Sequence, residues 1–114
     1  MLCNFIKQSK INRLSLNYCK LGDAGGVAIG EALSQSLWIK ELCAKRNEFR
    51  DATAKAMAEA IEENSTIEYL DLSNNLINDS GGELIGLALA VNVRLRHLNL
   101  RKNNLRVTSG AMFA

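Results

Sequence analysis

The sequence repeats itself every 28 residues, and this period restricts the fold more than any other feature of the chain. Four copies agree at five positions each, which is more agreement than chance explains. The matching positions are Ile11, Leu14, Leu16, Cys19 and Leu21, then Ile39, Leu42, Ala44, Asn47 and Phe49, then Ile67, Leu70, Leu72, Asn75 and Ile77, and finally Leu95, Leu98, Leu100, Asn103 and Leu105. A period of this length predicts supersecondary units that stack side by side and share one core.

Each copy combines a strand-like pattern with a helix-like pattern. The alternation Leu14-x-Leu16 has a period of two, so both leucines face the same side of a short strand. Apolar residues then recur with helical spacing, as at Ile29 and Leu33, and this spacing predicts an amphipathic helix. Neither element can bury its apolar face alone, so we expect the stacking of copies to close a common core.

Polar residues keep the same period. Asn47, Asn75 and Asn103 stand where the chain leaves each strand, and Cys19 takes that position in the first copy. We expect the side-chain amides to bind backbone groups of the turn that no strand pairing reaches.

Three aspartates also share one register, at the start of the three expected helices: Asp23, Asp51 and Asp79. Aspartate directly before a helix is a favoured N-cap. We therefore expect these residues to cap their helices. Val107 stands at this position in the fourth copy, which predicts that the last helix is the weakest.

A glycine-rich stretch between strand and helix, residues 21–30, has the layout of a phosphate-binding loop. However, the pair Gly25-Gly26 recurs as Gly81-Gly82, in the register of the repeat, and no Lys-Ser/Thr follows either pair. We interpret the glycines as packing residues that let neighbouring helices approach each other closely.

The pattern LxxLxLxx(N/C)xL resembles the leucine-rich repeat, and the 28-residue period is most similar to its ribonuclease-inhibitor-like subclass. That subclass also includes the repeats of NLR receptors, of the Ran GTPase-activating protein and of axonemal proteins. The resemblance covers residues 11–114. It implies an α/β solenoid, a segment of a horseshoe, with parallel strands on the concave face and helices on the convex face.

The length of 114 residues fits a single domain, residues 1–114. Its expected parts are a helical remnant of a preceding repeat at 1–10, full repeats at 11–38, 39–66 and 67–94, and a partial repeat at 95–114. Neither end carries a polar cap of the kind that solenoids require, which allows self-association or contact with neighbouring chains through the ends.

Composition excludes several functional classes. A net charge of +2 is too small to indicate nucleic-acid binding, and no apolar run is long enough to span a membrane. The three cysteines, Cys3, Cys19 and Cys43, lack CxxC spacing and are accompanied by one histidine. We therefore expect no metal, no cofactor and free thiols in a reducing, cytoplasmic compartment.

No residue pattern indicates catalysis, so we expect a protein that is not an enzyme. His97 has no serine or cysteine that the repeat must place beside it, and a lone histidine on a polar strand face is more typical of a contact residue than of a base. Lys45 could lower the pKa of Cys43, but no positioned base completes a nucleophile. The pair Glu62-Glu63 is expected in solvent at a helix end.

The residues that flank the two leucines of each strand are expected to point away from the helices and to form a continuous patch on the concave face. The patch is predicted to bind a protein partner through Arg13, Asn17, Tyr18, Glu41, Lys45, Arg46, Tyr69, Asp71, His97, Asn99, Arg101 and Lys102. One margin of this patch is basic, because it contains Lys45, Arg46, Arg101 and Lys102. Glu41 and Asp71 lie toward the other margin. Tyrosine and arginine are common in interface hot spots, which favours this assignment over a merely solvated surface.

Three alternatives stay open at this point. Trp38, in the connection from helix to strand, either anchors a partner or packs against the neighbouring repeat, and the usual burial of large aromatics favours packing. The chain could be a structural component of a large assembly, such as an axonemal complex, that docks through its ends and convex helices. It could also regulate a small GTPase, as the Ran GTPase-activating protein does.

Overall fold

The computed structural model describes residues 10–92 and 94–105. Four three-residue strands alternate with three helices. In chain order these are β1 (Arg13–Ser15), α1 (Gly22–Gln35), β2 (Glu41–Cys43), α2 (Asp51–Glu63), β3 (Tyr69–Asp71), α3 (Asp79–Val91) and β4 (His97–Asn99). The expected helical remnant, apart from Lys10, and the end of the partial repeat from residue 106 onward lie outside the described residues.

The strands form one parallel sheet in the order β1-β2-β3-β4, so strand neighbours in sequence are also neighbours in space. The pairing register follows the sequence period: Leu14 pairs with Leu42, Leu42 with Leu70, and Leu70 with Leu98. On one side of the sheet, α1 packs against α2 and α2 against α3. The stacked strand–helix repeats predicted from the sequence are therefore confirmed.

The core lies between the sheet and the helices and is deepest in the middle of the stack. Leu70, Leu72, Phe49, Met57 and Ile61 are each completely buried, with 0% of their surface exposed. Each repeat contributes its strand leucines and one helix face to this cluster, so the packing is continuous from one repeat to the next.

The asparagines bind the turn backbone as predicted, and they also join the repeats. Asn75 is 4% exposed, and its Oδ1 accepts hydrogen bonds from the backbone N–H of Asn47 (2.8 Å) and of Phe49 (3.1 Å) in the preceding repeat. Its Nδ2 donates to the carbonyls of Leu72 in its own repeat (2.9 Å) and of Ala44 in the preceding one (3.2 Å). Asn47 and Asn103 make equivalent bonds, so the three residues form a ladder along the stack.

The prediction that each aspartate caps its own helix is wrong. The helices begin at or before the aspartates, and their N-cap residues make no side-chain capping bond. Instead, Asp23 reaches the next repeat, where its Oδ1 accepts hydrogen bonds from the backbone N–H of Arg50 (2.7 Å) and from the hydroxyl of Thr53 (2.6 Å). Asp51 accepts from the N–H of Asn78 in the same way (2.8 Å). Each of these carboxylates thus satisfies the helix start of the following repeat. Val107 lies outside the described residues.

The environment of Asp23 stabilises its charged form. Burial alone would raise the pKa of this carboxyl group, but hydrogen bonds from Thr53 and from the backbone N–H groups of Arg50 and Thr53 outweigh that effect. The pKa of Asp23 is therefore lower than its ordinary value.

A second asparagine pair, which the sequence analysis missed, lies at the helix ends. Asn64 is the C-cap of α2, and its Nδ2 donates to the carbonyls of Leu33 (2.7 Å) and Ser36 (3.1 Å) in the preceding repeat. Asn92 repeats this contact one unit further, at 2.5 Å from the carbonyl of Ile61. Amide side chains therefore join neighbouring repeats at both edges of the stack.

The glycines are packing residues, as predicted. A Cβ atom on Gly26 would overlap Thr53 Oγ1 and would lie 2.9 Å from Phe49 Cδ1, both in the next repeat. A Cβ on Gly82 would lie 2.7 Å from Leu105 Cδ2. At Gly26 three atoms of the next repeat stand too close for a Cβ, so the close approach of the repeats requires glycine there. At Gly82 the contact is with the end of the flexible Leu105 side chain alone.

Candidate protein-binding surface

The strand face is the side of the sheet that points away from the helices, and its side chains stand in two columns. The first column is Arg13, Glu41, Tyr69 and His97. The second column is Ser15, Cys43, Asp71 and Asn99. The columns follow from the in-register parallel pairing, which places each residue beside its counterpart 28 positions away.

The first column is internally paired. Arg13 Nε lies 2.6 Å from Glu41 Oε2, with the arginine side chain 81% and the glutamate side chain 40% exposed. The rings of Tyr69 and His97 lie 6.0 Å apart at an angle of 49°. Burial raises the pKa of Tyr69, and the nearby Asp71 carboxylate raises it further, so its hydroxyl stays protonated at neutral pH.

In the second column, Asp71 differs from its predicted role as an exposed acidic contact. Its side chain is only 2% exposed, and its Oδ1 accepts a hydrogen bond from the N–H of Ser73 (2.9 Å). Lys45 Nζ lies 3.9 Å from Asp71 Oδ2. The carboxylate is therefore bound to the turn that follows its own strand. It also neutralises part of the charge of Lys45.

Cys43, in the same column, is not an activated thiol. Burial raises its pKa, and the neighbouring Asp71 raises it further against the opposite influence of Lys45. Lys45 does lower this pKa, as expected, but burial and Asp71 outweigh its influence, so the pKa of Cys43 lies above its ordinary value. Cys43 is half-buried and Cys19 is exposed, and both are free thiols.

The turns that follow the strands form the loop margin, which we define as Tyr18, Lys20, Arg46, Glu48, Asn74, Leu76, Arg101 and Lys102. The same position of each turn adopts the left-handed backbone conformation: Tyr18 (φ 60°), Arg46 (φ 55°), Asn74 (φ 57°) and Lys102 (φ 58°). In the first two turns Lys20 (φ 51°) and Glu48 (φ 62°) adopt it as well. This conformation is uncommon outside glycine, and here it turns the side chains outward. Tyr18 is 63% exposed, and the guanidinium of Arg46 lies 5.8 Å from the centre of its ring.

A cavity of about 420 Å³ opens at the loop margin and is lined by Tyr18, Lys20, Arg46, Glu48, Asn74 and Leu76. Sequence reasoning missed three of these residues, Lys20, Glu48 and Leu76. They share one register, two positions after the Tyr18 position, so extending the comparison of copies by two residues would have found them.

The twelve predicted contact residues do not form one uniform surface. Arg13, Tyr18, Arg46, His97, Arg101 and Lys102 are exposed. Asn17, Glu41, Lys45, Tyr69 and Asn99 are half-buried. The two asparagines among them act in the turns: Asn17 Oδ1 accepts from the N–H of Lys45 (2.8 Å), and Asn99 Oδ1 accepts from the N–H of Arg101 (3.0 Å).

Trp38 lies before β2, at the margin opposite to the loop margin. It is 42% exposed, and the ammonium group of Lys10 lies 5.5 Å from its ring centre. The neighbouring Leu37 is 73% exposed. More than half of the tryptophan is thus covered, and the rest of it is accessible.

The described residues contain no group of three or more His, Cys, Asp or Glu side chains that could hold a metal ion. None of the described helices is long and apolar enough to cross a membrane. Glu62 and Glu63 are exposed at the end of α2, as expected.

A leucine-rich-repeat family model matches residues 7–30 and 63–86. No curated protein matches the sequence. Among solved structures, actin-binding site 2 of leiomodin-1 superimposes with a TM-score of 0.82 at 22% identity, covering 96% of this chain and 64% of that one. The tropomodulin C-terminal domain of Caenorhabditis elegans gives 0.80 at 14% identity, covering 89% and 62%. The chain thus spans less than two thirds of either structure.

The fold is that of an α/β leucine-rich-repeat solenoid. The matched segments, the 28-residue period and the structural neighbours are consistent with a leucine-rich-repeat protein of the ribonuclease-inhibitor-like type.

Proposed function

We propose that this protein is a non-enzymatic interaction module that binds an acidic protein segment through its strand face and loop margin. The observation that best supports this proposal is the distribution of charge on the surface. Both acids of the strand face lie beside a cation, Glu41 beside Arg13 and Asp71 beside Lys45. The loop margin, in contrast, contains four exposed cations and one exposed acid: Lys20, Arg46, Arg101, Lys102 and Glu48.

The cavity of the loop margin fits this proposal. Leu76 and the ring of Tyr18 offer apolar surface, while Arg46 and Lys20 supply positive charge at the same opening. A partner residue with an apolar body beside a carboxylate would find both kinds of contact there. Because hydrogen bonds between repeats hold the turns in place, little conformational entropy is lost on binding.

The test is a matched pair of charge reversals. Arg46→Glu alters the loop margin, and the left-handed turn tolerates glutamate, because Glu48 has a similar φ of 62°. Lys55→Glu makes the same change of charge on the exposed face of α2. The first partner to assay is actin, because one structural neighbour is an actin-binding site. Binding of proteins captured from cell extract is assayed next.

We expect wild type and Lys55→Glu to capture the same partner and Arg46→Glu to lose it, with binding weakening as salt is raised. Equal capture by all three proteins would contradict the proposal. It would favour a structural component that docks through its ends or helices, and a GTPase regulator would instead stimulate GTP hydrolysis in a panel of small GTPases.

Two further proposals accompany this one. The free thiols of Cys19 and Cys43 support a cytoplasmic location, which cell fractionation would test. Self-association through the ends of the stack also remains a prediction, and sedimentation at several concentrations would test it.

A further inference from the structure

Helix α3 departs from the repeat pattern on its outer side. Leu87 and Val91 are 64% and 65% exposed. In the repeat register they occupy the positions of Glu59 and Glu63 in α2, and of Glu31 and Gln35 in α1. Two polar positions have thus become apolar in one helix, although the residues remain in contact with solvent.

Stacking of a further repeat would not cover these two side chains. Helix α2 is packed between α1 and α3, yet Glu59 and Glu63 are exposed. A helix added beside α3 in the same register would therefore leave Leu87 and Val91 open. Leu84 differs, because it matches Ala56, which is 8% exposed in α2 and thus belongs to the stacking side.

The surroundings of this apolar stripe, defined as Leu87 and Val91, are predominantly acidic. Glu83 precedes Leu87 by one helical turn on α3 and is exposed. Glu62 and Glu63 adjoin Val91 around a depression of about 210 Å³, and the exposed Arg94 is the one cation in its lining. Within the three described helices, Lys55 is the one cation, against a larger number of carboxylates. The helix face is thus opposite in charge to the loop margin.

We propose that the apolar stripe on α3 docks an amphipathic helix of a protein partner whose own apolar stripe is flanked by lysine or arginine. The two residues lie about 6 Å apart along α3, roughly one helical turn, which matches anchors spaced i and i+3 or i+4 on a partner helix. The acidic border pairs with the basic flanks and selects against acidic helices. This interface lies on the opposite side of the molecule from the proposed acidic-segment site and does not depend on it.

The probe is a fluorescein-labelled peptide of about 18 leucine and lysine residues, patterned as an amphipathic helix. Binding to the whole chain is measured by fluorescence anisotropy. The test variant is Leu87→Glu with Val91→Glu, which installs the residues that α2 already carries at these positions. Two controls are matched to it: a scrambled peptide of the same composition, and the variant Arg46→Glu.

We expect the double variant to weaken peptide binding at least about tenfold, since both apolar anchors are lost. Arg46→Glu should bind like wild type, and the scrambled peptide should bind wild type as weakly as the patterned peptide binds the double variant. The unfolding temperature of the double variant should stay within about 2 °C of wild type, because both positions are exposed.

Three outcomes overturn the proposal. Equal binding of the patterned peptide to wild type and double variant would show that the stripe is not part of the interface. Self-association that the double variant abolishes, without peptide binding, would identify a second copy as the occupant. A fall in unfolding temperature of more than about 5 °C would show that the chain itself covers the stripe.

Discussion

The first and second repeats have the same pattern, but their matching residues differ in burial. Leu42, Ala44 and Phe49 are at most 1% exposed, whereas their counterparts in the first repeat, Leu14, Leu16 and Leu21, are half-buried. Both repeats have apolar residues at the same three positions of the sequence pattern. The difference shows that the contribution of a residue to the free energy of unfolding depends on the repeats on both sides of it. This is expected for a stack with nearest-neighbour coupling.

The largest expected effect is the truncation of a central leucine. Leu72 is 0% exposed, so Leu72→Ala should lower the free energy of unfolding by about 2–5 kcal/mol. Leu16→Ala, at the matching position of the first repeat, should cost about 1 kcal/mol because that side chain is half-buried. Urea unfolding followed by circular dichroism measures both. Equal costs would contradict the nearest-neighbour interpretation.

The asparagine ladder allows the same comparison between repeats to be made with polar side chains. Asn75→Ala leaves buried N–H groups of Asn47 and Phe49 without their acceptor and should cost about 2–3 kcal/mol. Asn103→Ala removes the acceptor of one such group, the N–H of Ile77, so its cost should be about half as large. If Asn103→Ala proves as costly as Asn75→Ala, the number of neighbouring contacts does not control the energy of the ladder.

The register predicted the strands, the helices and the role of Asn47, Asn75 and Asn103, because each of these depends on a pattern within one repeat. The direction of the Asp23 bond could not be predicted. It depends on how far the next repeat stands from the carboxylate, and no local rule contains that distance. The same reason explains why Asn64 and Asn92 were missed, although their spacing of 28 was visible.

The binding surface was harder to predict than the fold. Asp71 lay in the correct column, but its burial follows from a bond to the turn at Ser73 that its column position does not reveal. The apolar stripe on α3 was missed for the opposite reason. Leu87 looks like an ordinary apolar helix residue until its register is compared with Glu59, and only the exposure of both shows that the pattern changes there.

The bond between Asp23 and the second repeat makes one junction of the stack sensitive to pH. The folded-state pKa of Asp23 is depressed below its ordinary value of about 3.9, so its stabilisation is fully present above that pH and is lost as pH falls through the folded value. Asp23→Asn should lower the free energy of unfolding by about 1 kcal/mol at pH 7, because a charged acceptor forms stronger hydrogen bonds than a neutral one. Urea unfolding should show this difference shrinking as pH falls through the folded-state pKa and disappearing once the carboxyl group is protonated in both states. A difference that persists in acid would mean that the charge of the carboxylate is not what stabilises the junction.

The smallest expected effect lies on the strand face, where β1 and β2 meet through Arg13 and Glu41. Their ion pair is short, at 2.6 Å, but the arginine side chain is 81% exposed. Water and salt screen such a pair, and holding a long side chain in one position costs entropy, so Arg13→Ala should change the free energy of unfolding by less than about 1 kcal/mol. The same substitution leaves Glu41 as an unpaired acid on the strand face. If an acidic segment binds there, Arg13→Ala should weaken its binding while stability stays nearly unchanged, and calorimetric titration with a partner identified by the Arg46→Glu comparison measures this. A loss of stability without a loss of binding would place Arg13 in the scaffold of the sheet, and the first repeat would then be held by its surface as much as by its half-buried leucines.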